Sequence, residues 1–369
     1  MDFTFSEEQD AVRDLAAQIF EGHATAERVK VVERSEERVD RELWRALADA
    51  GLLAIAVPEE HGGSGLGLAE VCLLHEQQGR RVAPVPLWPT LVLGALAIAE
   101  FGSPEQQQSW LPGVASGEVV LTAALAEPGA NDPLRPQVTA TRDGATWRLD
   151  GDKPSVPAGH VADRVLVPAS TGDGELGVFL VDPSCPGVER AVAATTDRSK
   201  VAHLTLSGAL GDPLGADGRH VTTWMLDRAL VGLCATQVGV AEGALRMAAD
   251  YTSERQQFGR PLSTFQGVAL KAADAYIDTE AMRVTLWQAA WRLTAGLDAT
   301  REVMVAKWWA SEGGQRVVHI TQHLHGGMGA DVDYPVHRYF LWGKQIEDTL
   351  GGASAQLARL GRALAEAPA

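Results

Sequence analysis

Cysteine is scarce in this chain. Only Cys72, Cys185 and Cys234 occur in 369 residues, scattered and odd in number. That pattern argues against a disulfide framework and a thiolate metal site, and points to a reducing compartment. Positive charge is also short: 32 Lys and Arg face 48 Asp and Glu, for a net charge of −16. That balance argues against nucleic acid or an anionic membrane as a general partner. A few local arginines can still hold a polyanionic cofactor. No apolar run approaches the roughly 18 residues needed to span a bilayer. The first ten residues carry Asp2, Glu7, Glu8 and Asp10, the opposite of an Arg-rich, acid-poor transit peptide, so a cytoplasmic protein is expected. No internal repeat is visible.

What is present is a core. Hydrophobic residues make up 46% of the chain, enough for two or three domains. Ser6 to Gln9 form a capping box, after which Val12, Leu15, Ala16, Ile19 and Phe20 fall on one helical face. A second helix carries Leu43, Trp44 and Leu47 and stops at Gly51. The glycine-rich run from Leu52 to Gly67 reads as a connector, because it lacks the Lys-Ser/Thr ending of a phosphate-binding loop. Two further helices follow, one of them opened by Ser103-Pro104-Glu105-Gln106 with a cap, a proline at N1 and a box partner.

From about Val119 the period changes. Val138 to Arg142 and Ala145 to Leu149 flank Asp143-Gly144, a type I′ hairpin signal. Val161 to Val167 and Leu176 to Val181 read as strands, with Pro and Gly punctuating the segment to about Gly215. Long helices return from Thr222. One carries Leu226, Leu230, Leu233, Val238, Ala241 and Leu245. The next carries Phe265, Ala269, Ala272, Tyr276, Val284, Trp287 and Trp291. A third runs from about Thr300 to Leu324, and a last one follows Pro335. The expected class is α+β: an N-terminal helical domain (1–118), a small middle β domain (119–216) and a C-terminal four-helix bundle (217–369).

Two of these helices are separated by Tyr251 to Gln266. An arginine stands three residues before a Phe-Gly break, with Pro261 just beyond. Gly259 and Pro261 can end one helix, and Ser263 or Thr264 can cap the next. By spacing alone this is a helix–helix turn with an ordinary charged residue. The wider pattern Arg255-Gln256-Gln257-Phe258-Gly259-Arg260-Pro261-Leu262, continued by Phe265 and Gln266, resembles the flavin-binding turn of the acyl-CoA dehydrogenase family. The resemblance runs nearly end to end, including Val57-Pro58-Glu59-Glu60 with the glycines after it.

The resemblance implies FAD as cofactor and α,β-desaturation of an acyl-CoA thioester, with a carboxylate taking the α-proton. It also implies an electron-transfer flavoprotein as redox partner. Arg255 would reach across a subunit interface to the FAD pyrophosphate, as its planar fork suits phosphate oxygens. Gln257, Phe258, Leu262, Phe265 and Gln266 would support the cofactor. The segment His323-Leu324-His325-Gly326-Gly327-Met328-Gly329 resembles the family's Gly-Gly-x-Gly loop, which meets the flavin nucleotide of a neighbouring subunit. His323 stands where glutamine is usual, with Gln322 one residue earlier. His323 and His325 are two apart and share no helical face for a metal; both read as structural.

Other family elements are altered. The β-domain loop Thr-Glu-Pro-x-x-Gly-Ser-Asp is replaced by Ala126-Glu127-Pro128-Gly129-Ala130-Asn131-Asp132, one residue shorter and without the hydroxyl. After Gly151-Asp152-Lys153, Ser155 stands for an aromatic, and Pro157 offers neither hydroxyl nor N–H. The catalytic glutamate is missing from both places the family uses. Leu350 or Gly351 occupies one, and Ala229 and Thr236 lie in the other. Asp227, Glu242, Glu347 and Asp348 remain as candidate carboxylates, each readable as a solvated helix charge.

Elements that would act on a neighbour's FAD thus survive, while those that would serve this chain's own flavin ring do not. The ending Asp333-Tyr334-Pro335-Val336-His337-Arg338-Tyr339, followed by Gly351-Gly352-Ala353 and Gln356-Leu357, is similar to the base-less subunit of actinobacterial α2β2 steroid side-chain acyl-CoA dehydrogenases. A catalytic partner subunit and a role in cholesterol side-chain oxidation are implied by that resemblance. Two rivals stand beside it: a self-sufficient homotetramer with a displaced carboxylate base, and an assembly scaffold that contacts no flavin.

Overall fold

The structure, a computed structural model, describes residues 4–129, 132–144, 146–172 and 174–366. Its elements run α1 (Glu7–His23), α2 (Ala26–Val32), α3 (Arg41–Asp49), α4 (Leu68–Arg81), α5 (Leu96–Phe101, entered through a π-helical turn over Trp88–Ala95) and α6 (Pro104–Ala115). Then come β1 (Leu121–Ala123), β2 (Thr139–Asp143), β3 (Thr146–Pro157), β4 (Arg164–Gly172), β5 (Glu175–Val181), β6 (Val188–Ala194) and β7 (Lys200–Pro213). The rest is α7 (Gly218–Glu254), a short hairpin of β8 (Gln256–Gln257) and β9 (Arg260–Pro261), α8 (Gln266–Thr294), α9 (Thr300–Leu324), α10 (Val336–Asp348) and α11 (Ala353–Glu366).

Both capping boxes read from the sequence are made. Ser6 and Ser103 accept from the N–H three residues on, while Gln9 and Gln106 reach back to the cap N–H. Leu43, Trp44 and Leu47 are buried, and the Trp44 indole donates to the Gly117 carbonyl at 2.9 Å. Two helices carry no clear signal in the sequence: α2 is short and has three charges in seven residues, and α11 lies past the Gly351-Gly352 break.

Contacts divide the chain into two compact units, one holding residues 1–30, 72–83 and 230–369, the other 31–71 and 84–229. In the second, described strands join in the order β1-β4-β2-β3-β7-β5; β4 also pairs with β5, so β4 to β5 close into a ring, with β6 added on β7. Its interior is filled by Leu149, Val165, Val167, Phe179, Val181 and Leu204. The first hairpin forms, but one residue along from its expected place. Asp143 pairs with Thr146, which puts Asp143 in the strand and Gly144, at φ +64°, in the turn. The Asp143 carboxylate accepts from the Arg148 guanidinium at 2.7 Å; Ala145 lies outside the described residues. The strand expected from Val161 begins at Arg164, since Val161 still belongs to a turn closed on the Ala158 carbonyl.

In the helical unit α9 packs against α8, α10 and α11. α4 and α7 cross with their backbones in contact: a Cβ on Gly239 would lie 2.0 Å from the Glu76 carbonyl oxygen, and one on Gly79 would lie 2.1 Å from that of Thr236. Only glycine permits this approach. It brings Glu76 and Arg80 of α4 to Glu242 of α7 and Arg283 of α8. One face of α8 stays bare: Leu270, Ile277 and Val284, seven residues apart, are exposed, Ile277 by 62%. Among the described residues no helix is long and apolar enough to cross a membrane.

Candidate functional site

The stretch after α7 is a β-hairpin and not a plain helix–helix turn. α7 ends at Glu254, before Gly259 and Pro261 can act, and the Arg255 carbonyl accepts from the Leu262 N–H at 2.9 Å to close the base. Gln256 pairs with Pro261 and Gln257 with Arg260, leaving Phe258 (φ +54°) and Gly259 (φ +78°) as the turn. Positive φ at both residues is the type I′ geometry that matches strand twist. It is uncommon for a phenylalanine, and the ring is left 92% exposed. Arg255, Gln257 and Gln266 are exposed, whereas Leu262 and Phe265 are half-buried. The Arg260 guanidinium lies 4.1 Å over the Phe265 ring. Neither Ser263 nor Thr264 caps α8. Its cap is Phe265, without a side-chain bond, and the Thr264 hydroxyl donates to the Pro261 carbonyl at 2.7 Å.

The glycine loop follows α9 as a 3-10 turn over Gly326–Ala330. His323 is exposed and His325 is buried. Gly326 (φ +57°) and Gly327 have open space where a side chain would stand, so backbone there is free to be approached. Gln322 does not stand in for the missing glutamine: its amide donates to the Gly329 carbonyl at 2.9 Å and closes the turn. The Tyr251 and His325 rings stack with centroids 4.7 Å apart, so this loop and the Arg255 hairpin lie together.

The altered elements of the second unit are internally bonded. Glu127 and Lys153 form a fully buried ion pair, and Glu127 also accepts from the Gln137 N–H at 3.0 Å. Burial pulls the Lys153 pKa down while Glu127 opposes it. Ala130 and Asn131 of this loop lie outside the described residues. β3 bulges between Lys153 and Val156, with Ser155 at φ +51° and exposed. The Ser155 N–H donates to His203 Nδ1 at 3.2 Å, and the Pro157 carbonyl accepts from the Thr122 hydroxyl at 2.6 Å.

Of the residues that the resemblance puts at the base positions, Ala229, Thr236 and Gly351 are buried. Ala229 is fully buried, and its carbonyl takes the Trp88 indole N–H at 3.0 Å. The buried Thr236 hydroxyl donates back to the Gly232 carbonyl at 3.0 Å. Leu350 (φ +58°) and Gly351 (φ +98°) form the break between α10 and α11, where the buried Gln356 amide donates to the Gly351 carbonyl at 3.0 Å. A side chain at Gly351 would be strained by that φ.

The remaining carboxylates are engaged or plain. Glu242 takes Arg80 at 2.8 Å and Arg283 at 2.9 Å, and Glu347 pairs with Lys344 at 2.5 Å. Asp348 is exposed. Asp227 is half-buried beside Arg228, whose guanidinium sits 3.6 Å over Trp224 and whose pKa burial lowers to about 10. A group the sequence did not single out is Glu76, 3.0 Å from Arg283 and buried. Burial, against the pull of Arg283 and Arg80, pushes its pKa up to about 7. Its only sequence signal is the ordinary Glu76/Arg80 helix spacing.

The profile of the acyl-CoA dehydrogenase N-terminal domain matches residues 6–118, and that of the C-terminal domain matches residues 216–364. Acyl-CoA dehydrogenase FadE27 of Mycobacterium tuberculosis is 43% identical over 378 residues, with 100% of both chains covered. Among solved structures, the ChsE4–ChsE5 complex from Mycobacterium tuberculosis superposes with a TM-score of 0.95 at 44% identity, covering 100% of each chain. A variant of the Tcur3481–Tcur3483 steroid ACAD superposes with a TM-score of 0.93 at 54% identity, covering 98% of each chain. The order of helical domain, β domain and helical domain is shared as well. With both flanking domains matched and its full length shared with such relatives, this chain belongs to the acyl-CoA dehydrogenase family.

Proposed function

We propose that this chain is the half-site subunit of a cytoplasmic, FAD-dependent acyl-CoA dehydrogenase assembled from two kinds of chain as an α2β2 heterotetramer. Its segments 1–118, 119–216 and 217–369 serve as the three domains. The substrate is the CoA thioester of a steroid side chain, a reading supported by likeness to a protein called a steroid ACAD and to a two-protein complex. When bound, FAD supplies the two-electron oxidation that accompanies α,β-desaturation.

One contrast carries the reading. Base positions are filled by buried Ala229, Thr236 and Gly351, while Arg255, Phe258, His323, Gly326 and Gly327 are exposed. Residues that served a flavin inside one chain would have reason to be covered; residues that serve a neighbour's flavin must be uncovered before assembly. Arg255 would offer its fork to the pyrophosphate, and Phe258 would cover apolar surface. Gln257, Leu262, Phe265 and Gln266 would hold the hairpin's shape around them. Gly326 and Gly327 would let backbone N–H groups approach the nucleotide. The bare stripe Leu270, Ile277 and Val284 on the helix that follows the hairpin supports a protein neighbour on the same side. Pairing of Glu242 and Glu347 with cations argues against a displaced base. Electrons would pass from the complex to an electron-transfer flavoprotein.

The test is Arg255→Ala in the complex co-expressed with its acyl-CoA dehydrogenase partner. FAD content per complex should fall, and unchanged FAD content would remove Arg255 from the site.

A further inference from the structure

α7 and α9 each hand on to one of the two exposed segments assigned above to a partner's FAD. Tyr251 stands in the last turn of α7, and the Arg255 N–H donates to its carbonyl at 2.9 Å. His325 is the residue between α9 and Gly326. Their rings stack at 4.7 Å with planes 26° apart, and Tyr334 closes over the pair, 5.2 Å from the His325 ring and 6.2 Å from that of Tyr251.

The imidazole is fixed in orientation. His325 is 1% exposed and its Nδ1–H donates to the Thr321 carbonyl at 2.7 Å. Nε2 is then an acceptor, buried and unpartnered among the described residues. Burial lowers the pKa of the ring, so it stays neutral and flat against Tyr251. Each segment is bonded within itself, the hairpin by its own ladder and the loop by the Gln322 amide on the Gly329 carbonyl. The exposed Phe258 ring meets the edge of Phe265 at 6.2 Å, and no neighbour lies within 4 Å of the side-chain positions of Gly259, Gly326 and Gly327.

We propose that His325 and Tyr251 are positioning residues that lock the Arg255 hairpin and the Gly326–Gly327 loop to each other, so that both meet one flavin nucleotide of the partner subunit at once. Neither ring touches the cofactor. The pair removes the ordering that two independent segments would undergo on binding. This inference rests on the half-site reading; the stack itself does not.

The experiment uses Tyr251→Leu, His325→Leu, the double variant and Tyr251→Phe, with Arg255→Ala as reference. Amide exchange is measured on the full chain alone, and retained FAD on the co-expressed complex. Tyr251→Leu should speed exchange in residues 325–330, and His325→Leu should speed it in residues 256–262. Tyr251→Phe, which keeps the ring, should match the wild type in both. In the complex each Leu variant should retain FAD about threefold to tenfold less well, the scale of one aromatic pair. The double variant should lose no more than either single, since they break one interaction. Exchange changes confined to each variant's own segment, or additive losses of FAD, would overturn the proposal. So would FAD loss by Arg255→Ala with full retention by His325→Leu. If Arg255→Ala keeps its FAD, the assignment of the Arg255 hairpin to the partner's flavin falls, and the exchange results still decide whether the stack couples the segments.

Discussion

Glu76 makes the stability of the helical unit depend on pH in a calculable way. Burial lifts its pKa from 4.5 to about 7, with Glu242 adding to the rise and Arg283 and Arg80 opposing it. An acid whose folded pKa is raised binds its proton more tightly in the folded state. The stability it contributes is therefore complete below pH 4.5 and lost as pH rises through about 7. At roughly 1.4 kcal/mol per unit, the loss across that window is about 3 kcal/mol. Glu76→Gln fixes the side chain neutral and should abolish this term. Urea midpoints of variant and wild type, followed by far-UV circular dichroism from pH 4.5 to 8, should coincide at the acid end. They should then diverge in the variant's favour as pH rises. Parallel curves would mean that Glu76 is ionised throughout in the folded protein, and the reasoning from burial would fail.

Three further outcomes follow from packing. Lys153→Met leaves Glu127 buried without its cation and should cost about 3–5 kcal/mol, most of it recovered by adding Glu127→Leu, as read by urea denaturation. Gly239→Ala forces a Cβ against the Glu76 carbonyl and should lower the melting temperature, at a cost of about 1–3 kcal/mol; an unchanged melting point would deny the close crossing of α4 and α7. Ile277→Asp should leave the far-UV spectrum of the chain unaltered but reduce its recovery with the partner in co-purification; undiminished recovery would clear the α8 stripe of any role in assembly.

What the sequence disclosed depended on the range of the interaction. Ser6/Gln9 and Ser103/Gln106 act over three residues, and both capping boxes were legible. The apolar spacing along α7 and α9 was legible too, because burial selects one face of each helix; along α8 it misled, since Tyr276 and Val284 of the expected stripe are exposed and Ala275, Thr279, Met282 and Leu286 are buried instead. The turn at Phe258 was not. A phenylalanine at positive φ breaks the local preference that turn rules encode, and only the hairpin geometry shows it. The I′ signal at Asp143-Gly144 named the right hairpin but took Asp143 for a turn residue, whereas it pairs with Thr146 in the strand. Glu76 and the Tyr251–His325 stack join helices far apart in the chain. Neither carries a pattern that spacing could reveal, and the two glycines that let α4 meet α7 read alone as ordinary helix residues.

The central claim is that this chain completes a flavin site it does not own. Its most direct test is the visible absorbance of the chain purified alone and purified with its co-expressed acyl-CoA dehydrogenase partner. The account predicts a colourless single chain and a yellow complex with about one FAD per heterodimer, as one shared site per pair requires. A yellow single chain that desaturates an acyl-CoA by itself would contradict it, and would return Glu347 and Asp227 to consideration as the base.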